Sequence, residues 1–251
     1  MAEPIPLLCF APAGAGASFY AGWAEPARAA GFALTALDLP GRERRFADPP
    51  VHSVAEAAHD ALPRVAEAVA AVGGGVLLGH CLGAWVAYHL ARLLTSDGTV
   101  PPQRLLLCAS GSAVPGEVLG LRATGHPDDE FLRRVAENTG FTHPAFAEEE
   151  LRELLLPALR ADVQAAESYA PPWTDRVAFP VLTWRADADR LVPSSAVARW
   201  NTVTDALVGA LEYQGGHMSL PEQGPALLPG LAEAWRSLSH AVPASSGGEH
   251  P

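Results

Sequence analysis

Cys81 lies in the run Gly79-His80-Cys81-Leu82-Gly83, between the apolar stretch GGGVLLGH and the helix-like stretch CLGAWVAYHLARLL. A reactive side chain with glycine two residues away on each side, at a strand-to-helix junction, is the pattern of a sharp turn. That turn lifts the side chain above a sheet at a helix N-terminus, and its usual occupant is serine. The glycines allow the close backbone approach it requires. A helix N-terminus and a nearby imidazole both lower a thiol pKa from about 8.5 toward neutrality, so Cys81 is a candidate nucleophile. Cys9 and Cys108 fall inside apolar strand-like runs, where cysteine is a small buried apolar residue.

A nucleophile needs a base and a group that orients the base. Both occur in the C-terminal third. PVLTWRADADRLVP is a strand pattern followed by a polar turn with Asp187 and Asp189, and EYQGGHMSL is a strand end followed by a glycine pair and His217. Nucleophile, acid and base therefore come in a workable order after suitable elements, with either aspartate open as the acid. A tetrahedral intermediate also needs two backbone N–H donors, one from the residue after the nucleophile and one from a loop after an early strand. Leu82 supplies the first. In FAPAGAG the second must have an N–H, which excludes Pro12 and favours Ala13. His80 is expected to point away from Cys81 as a structural residue. The remaining histidines show no partner signature and no metal-ligand spacing, so no metal is predicted.

The elements around these residues alternate. Leu7 to Ala11 reads as a buried strand opening into the loop PAGAGAS, and FALTALDL as a strand stopped by Pro40-Gly41. Residues 53–72 carry Val54, Ala58, Leu62, Val65 and Val69 at helical spacing behind a Ser53 cap. GGGVLLGH, RLLLCAS, PVLTW and ALVGALEY read as further strands. Their apolar character suits parallel strands covered on both faces. Residues 127–169 hold helices and no convincing strand, which predicts a helical lid. A last helix is expected near 225–238, and the tail AVPASSGGEHP is predicted to be disordered.

Composition narrows the class. The chain has 251 residues, 49% of them hydrophobic, enough for one domain over residues 1–240. A formal charge of -11 without basic clusters argues against nucleic acid. All 17 basic residues are arginine, which excludes lysine Schiff-base chemistry and a lysine-dependent phosphate loop. No apolar run approaches the roughly 18 residues of a membrane span, and MAEPIPLLCFAP lacks the basic start of a signal peptide, so a cytoplasmic protein is expected. Three cysteines without CxxC spacing fit neither a zinc site nor a disulfide framework.

Together these stretches resemble the stand-alone type II thioesterases that work beside polyketide synthases and nonribosomal peptide synthetases. FAPAGAGASFY resembles that family's first-strand loop, DLPGRERRF its PGR segment, LLGHCLGA its GHSMGA turn, and LPALRADVQAAESY its lid segment with LRAD. PVLTWRADADRLVP and GGHMSL resemble its acid turn and histidine loop. The similarity runs from about Leu7 to Leu238. It implies an α/β-hydrolase fold, a mostly parallel central sheet flanked by helices with a helical lid. The implied substrate is an acyl chain thioester-linked to the phosphopantetheine arm of an acyl or peptidyl carrier protein, with no cofactor and a monomeric enzyme. The resemblance assigns Cys81 as nucleophile, Asp189 as acid, His217 as base, and Ala13 and Leu82 as oxyanion donors.

Three departures bear on the reaction. Cysteine replaces the nucleophilic serine, Ala11-Pro12 and Ala15-Gly16 replace Pro-His and Gly-Ser in the first loop, and SGSAVPG lacks an arginine often found there. Attack by a thiolate on a thioester exchanges one thioester for another and needs little base assistance. The expected outcome is hydrolytic release from an S-acyl enzyme. The alternatives are transfer to an amine, alcohol or thiol, including ring closure, and a catalytically silent carrier-protein binder.

Overall fold

The computed structural model describes residues 3–111, 122–170 and 176–241. Six strands form one sheet: β1 Ile5–Phe10, β2 Phe32–Leu37, β3 Gly75–His80, β4 Leu105–Ser110, β5 Val181–Ala186 and β6 Leu207–Tyr213. Their order is β2-β1-β3-β4-β5-β6, and every neighbouring pair is parallel. The chain moves from β1 to β2 on one side and then crosses to β3 on the other. The strand order thus reverses between β1 and β3, and in open parallel sheets the crevice at the C-terminal ends of such a pair is where ligands bind.

The helices are α1 Ala24–Ala30, α2 Val54–Val72, α3 Leu82–Ser96, α4 Asp128–Thr139, α5 Glu149–Ser168, α6 Ser194–Ala198, α7 Trp200–Val203, α8 Leu220–Gln223 and α9 Leu228–Ala241. The continuous apolar strands are explained by burial on both faces, because side chains alternate between them. Leu8, Phe10, Leu77 and Leu107 join the core under α2 and α3, whereas Leu7, Cys9, Leu78 and Cys108 join the core of Trp23, Trp184, Leu228 and Leu231 on the opposite face. The edge strand β6 is mostly exposed or half-buried.

Local chemistry sets the boundaries of α2. The Ser53 hydroxyl accepts from the Glu56 N–H at 3.1 Å, the usual satisfaction of a free donor at a helix start. Gly73 ends the helix at φ 69° with its N–H on the Ala70 carbonyl, a left-handed cap that glycine adopts without strain. The segment expected as a lid forms α4 and α5. In α5 the first turns are exposed, and burial begins at Leu156 and runs to Ala166. Arg160 binds Asp128 and lies 4.2 Å from the Phe131 ring centroid, so that an ion pair and a cation–π contact join the two helices. The short helices α6 and α7 were not legible in the sequence. Most of SGSAVPG and of the C-terminal tail lies outside the described residues. Among the described residues no helix is long and apolar enough to cross a membrane.

Candidate active site

The turn at Cys81 has the strained geometry that its glycines anticipate. Cys81 adopts φ 54° and ψ -118°, one of three non-glycine residues with positive φ among the described residues. Side chains rarely tolerate that region, and such a conformation persists only where the surroundings enforce it. Here the Cys81 N–H donates to the Ser110 carbonyl at 2.9 Å, and the Cys81 carbonyl accepts from the Ala84 N–H at 3.0 Å. A Cβ at Gly79 would lie under 3.0 Å from the backbone of Gly83 and Ala84, and one at Gly83 would lie as close to the backbone of Phe10 and Ala11. Helix α3 can therefore start against the end of β1 only because both positions are glycine. The Cys81 side chain sits at its N-terminus, half-buried.

The other two residues come from loops after β5 and β6, at the same edge of the sheet. His217 Nδ1 and Asp189 Oδ2 are 2.8 Å apart, both side chains being buried. Asp189 Oδ1 accepts from the Leu191 and Val192 N–H groups at 2.8 and 2.9 Å, which fixes the carboxylate while its other oxygen orients the ring. Burial pushes the Asp189 carboxyl up, but the hydrogen bond and charge of His217 and these two N–H groups hold it below its ordinary value. Asp187, the other possible acid, is exposed. It accepts from the Gly215 N–H at 2.9 Å and so anchors the histidine loop instead. Gly215 at φ 124° makes the bend that brings His217 inward, a conformation open to glycine.

His217 carries the largest electrostatic consequence. Burial pushes its pKa down, but the charge of Cys81, the hydrogen bond to Asp189 and the carboxylate's charge outweigh this and raise it to about 10. Its Nε2 is buried and makes no hydrogen bond among the described residues. Cys81 raises the pKa of the ring both by its charge and by a hydrogen-bonding contact, the contact lying outside strict hydrogen-bond geometry for Nε2. Such a pairing suits a thiolate beside an imidazolium. Burial pushes the Cys9 and Cys108 thiols up, consistent with inert core residues.

Ala13 and Leu82 follow β1 and β3, the strands that flank the reversal in strand order. Leu82 is the first residue of α3, and the leading N–H groups of a helix have no intrahelical acceptor. Neither the Ala13 nor the Leu82 N–H donates to another group among the described residues. Ala13 and Gly14 occupy the corners of a turn closed by the Ala15 N–H on the Pro12 carbonyl at 3.1 Å, with Gly14 at φ 76°. A positive φ at the second corner is where such a turn calls for glycine.

His80 has a closer relation to the site than its neighbour position suggests. Its ring centroid lies 4.8 Å from that of His217 and 5.6 Å from that of Phe19, and its Nδ1 is 2.9 Å from the Ser110 hydroxyl. Burial first, and then the charge of His217, lowers its pKa to about 3, so His80 is neutral and forms one wall of the pocket around His217. No periodicity reveals this, because the contact joins the end of β3 to the loop that follows β6.

The low pKa predicts acid sensitivity. An unfolded histidine titrates near 6.5, so between about pH 6.5 and 3 the unfolded chain binds a proton that folded His80 does not, and stability falls as pH falls. From pH 7 to pH 5 this one residue accounts for about 2 kcal/mol, at roughly 1.4 kcal/mol per pH unit below 6.5. Urea unfolding of His80→Gln at the two pH values is expected to show a loss smaller than the parent's by about that amount, and equal losses would refute the assignment.

The thioesterase-domain family model matches residues 5–235. Thioesterase PikA5 from Streptomyces venezuelae is 32% identical over 217 residues, covering 86% of this chain and 76% of that protein. The probable anguibactin biosynthesis thioesterase AngT from Vibrio anguillarum is 28% identical, covering 82% of this chain and 81% of AngT. Among solved structures, the type II thioesterase BorB of the borrelidin biosynthetic cluster superposes with a TM-score of 0.74 at 28% identity, covering 94% of each chain. With the parallel sheet, the Cys81 turn and the Asp189–His217 pair already in place, these similarities establish that the chain belongs to the thioesterase family, among relatives that include thioesterases of anguibactin and borrelidin biosynthesis.

Proposed function

We propose that this thioesterase releases acyl chains held as thioesters on the phosphopantetheine arm of an acyl or peptidyl carrier protein, through an S-acyl-Cys81 intermediate. The observation that carries this reading is the buried 2.8 Å Asp189–His217 hydrogen bond beside a cysteine held at a strained strand-to-helix turn. In the first half-reaction the Cys81 thiolate attacks the carbonyl carbon. The new C–S bond forms, the bond to the carrier sulfur breaks, and the departing thiolate takes the proton of the His217 imidazolium. The Ala13 and Leu82 N–H groups face the oxyanion while the tetrahedral carbon exists. In the second half-reaction neutral His217 takes a proton from water as its oxygen attacks. The C–S bond to Cys81 breaks, the free acid leaves, and the thiolate–imidazolium pair is restored. Asp189 holds the ring in one orientation throughout.

The cysteine supports a second reading, in which an amine, alcohol or thiol takes the acyl group in place of water. An S-acyl enzyme is a thioester and so is activated toward amines and thiols. A silent carrier-protein binder would have no use for a buried carboxylate aligned on a buried imidazole. Intact-protein mass spectrometry after mixing with an acetylated carrier protein tests all three. An acetyl adduct lost in Cys81→Ala is expected, followed by free acid as the product. Acyl amide or new thioester formed when amines or thiols are added would favour transfer, and no adduct with either the carrier or a small thioester would overturn the enzyme reading.

A further inference from the structure

The turn that carries Ala13 is gripped by the lid. Asp162 on α5 is buried, and its Oδ2 accepts from the Gly14 N–H at 2.7 Å and from Arg42 Nη1 at 2.5 Å, while its Oδ1 accepts from Arg42 Nη2 at 2.8 Å. Arg42, also buried, donates from Nη1 to the Ala15 carbonyl at 3.2 Å and from Nη2 to the Pro40 carbonyl at 3.4 Å. A planar guanidinium and a carboxylate paired in this two-pronged way hold each other's orientation as well as their distance. Leu159, about one helical turn before Asp162, packs beneath Gly14 so closely that a Cβ there would come within 2.9 Å of its Cδ1. Further along the loop the grip comes from the segment after β2. Asp38 accepts from the Ala17 N–H at 2.7 Å and Glu43 from the Ser18 N–H at 3.0 Å. The lid thus touches the oxyanion turn itself, and the sheet-side segment secures the rest.

We propose that Arg42 and Asp162 are positioning residues that aim the Ala13 N–H at the developing oxyanion, so that the docked second half of α5 is a condition for acylation of Cys81. This rests on the assignment of Cys81 and Ala13 above. The peptide between Ala13 and Gly14 is fixed from one end by the Asp162 carboxylate on the Gly14 N–H, and the one between Ala15 and Gly16 by Arg42 on the Ala15 carbonyl. Release of either contact lets the turn rotate and carry the Ala13 donor off its target. Hydrogen-bond donors to an oxyanion act only when aimed in advance, and losing one costs about 10²–10³ in rate.

Two variants test the role. Asp162→Asn keeps the shape and loses the charge. The pair Arg42→Met with Asp162→Leu removes both charges together, so that neither is left buried and unpaired. Two rates are read on each: acetylation of Cys81 by the acetyl thioester of N-acetylcysteamine, and alkylation of Cys81 by iodoacetamide, which needs no oxyanion donor. Acetylation is expected to fall about 100-fold in the double variant and about tenfold or more in Asp162→Asn, with alkylation within about twofold of the parent. Acetylation within about threefold of the parent in Asp162→Asn, which decides alone if the double variant does not fold, overturns the proposal. Equal loss of alkylation also overturns it, because the pair would then act on the nucleophile or the fold. If the unaltered protein alkylates at Cys81 but is not acetylated, the covalent reading itself falls and takes this role with it, a result seen before any variant is made.

Discussion

His217→Ala is expected to lower kcat/KM for a carrier-bound or small thioester by about 10⁴-fold, in line with the loss of the base from comparable nucleophile–base pairs. The effect is large because His217 has two tasks. In the proposed reaction its imidazolium is the counter-charge beside Cys81, and its proton leaves with the carrier sulfur. Its pKa of about 10 keeps that proton in place across the neutral range. Without the ring neither the proton for the departing sulfur nor a base for water is available, so the loss is expected at every pH at which His217 of the parent holds its proton, up to about pH 10. Steady-state kinetics from about pH 6 to 9.5 on both proteins checks this. Activity within about tenfold of the parent, with an unchanged pH profile, would remove His217 from the mechanism.

Gly83→Ala is expected to destabilise the protein severely. The new Cβ would overlap the Phe10 and Ala11 carbonyls, which are backbone and cannot turn aside as a side chain could. Either α3 or the end of β1 must move, although β1 is paired on both edges and α3 is buried along its length. The expected cost is about 4 kcal/mol or more, in the range reached only by a few named mechanisms of which overpacking is one. Set against the roughly 5–15 kcal/mol of a typical domain, that leaves little margin, and thermal unfolding should begin about 8–16 °C lower. Calorimetry or circular dichroism melts give the answer. A variant that melts within about 2–3 °C of the parent, a shift of well under 2 kcal/mol for a domain of this size, would show that α3 has room the structure does not indicate.

The physical basis of the sequence reading is local. A buried parallel strand must be apolar at every position, so β1, β3 and β4 announce themselves, and the strand-to-helix turn at Cys81 needs glycine on either side wherever it occurs. The edge strand β6 was legible from its apolar run although little of it is buried. Helices α6 and α7 left no signal, because four or five residues are too few to display a helical period. The lid was visible as a break in the alternation. Its internal division, exposed before Leu156 and buried after, depends on which turns of α5 meet the core.

Residue type and order along the chain thus determined the sheet-and-helix alternation, the cysteine at its sharp turn, and a short set of partners in which spacing left Asp187 and Asp189 open and the family resemblance pointed to Asp189. Tertiary structure gives the physical difference between those two: Asp189 turns inward to His217 while Asp187 faces solvent and ties down the Gly215 loop. It also set His80 against His217 and brought Asp162, 148 residues along the chain, onto the N–H of Gly14. Spacing and period describe neighbours within one element. A contact between loops that follow different strands is decided only when the strand order of the sheet brings their ends to one edge.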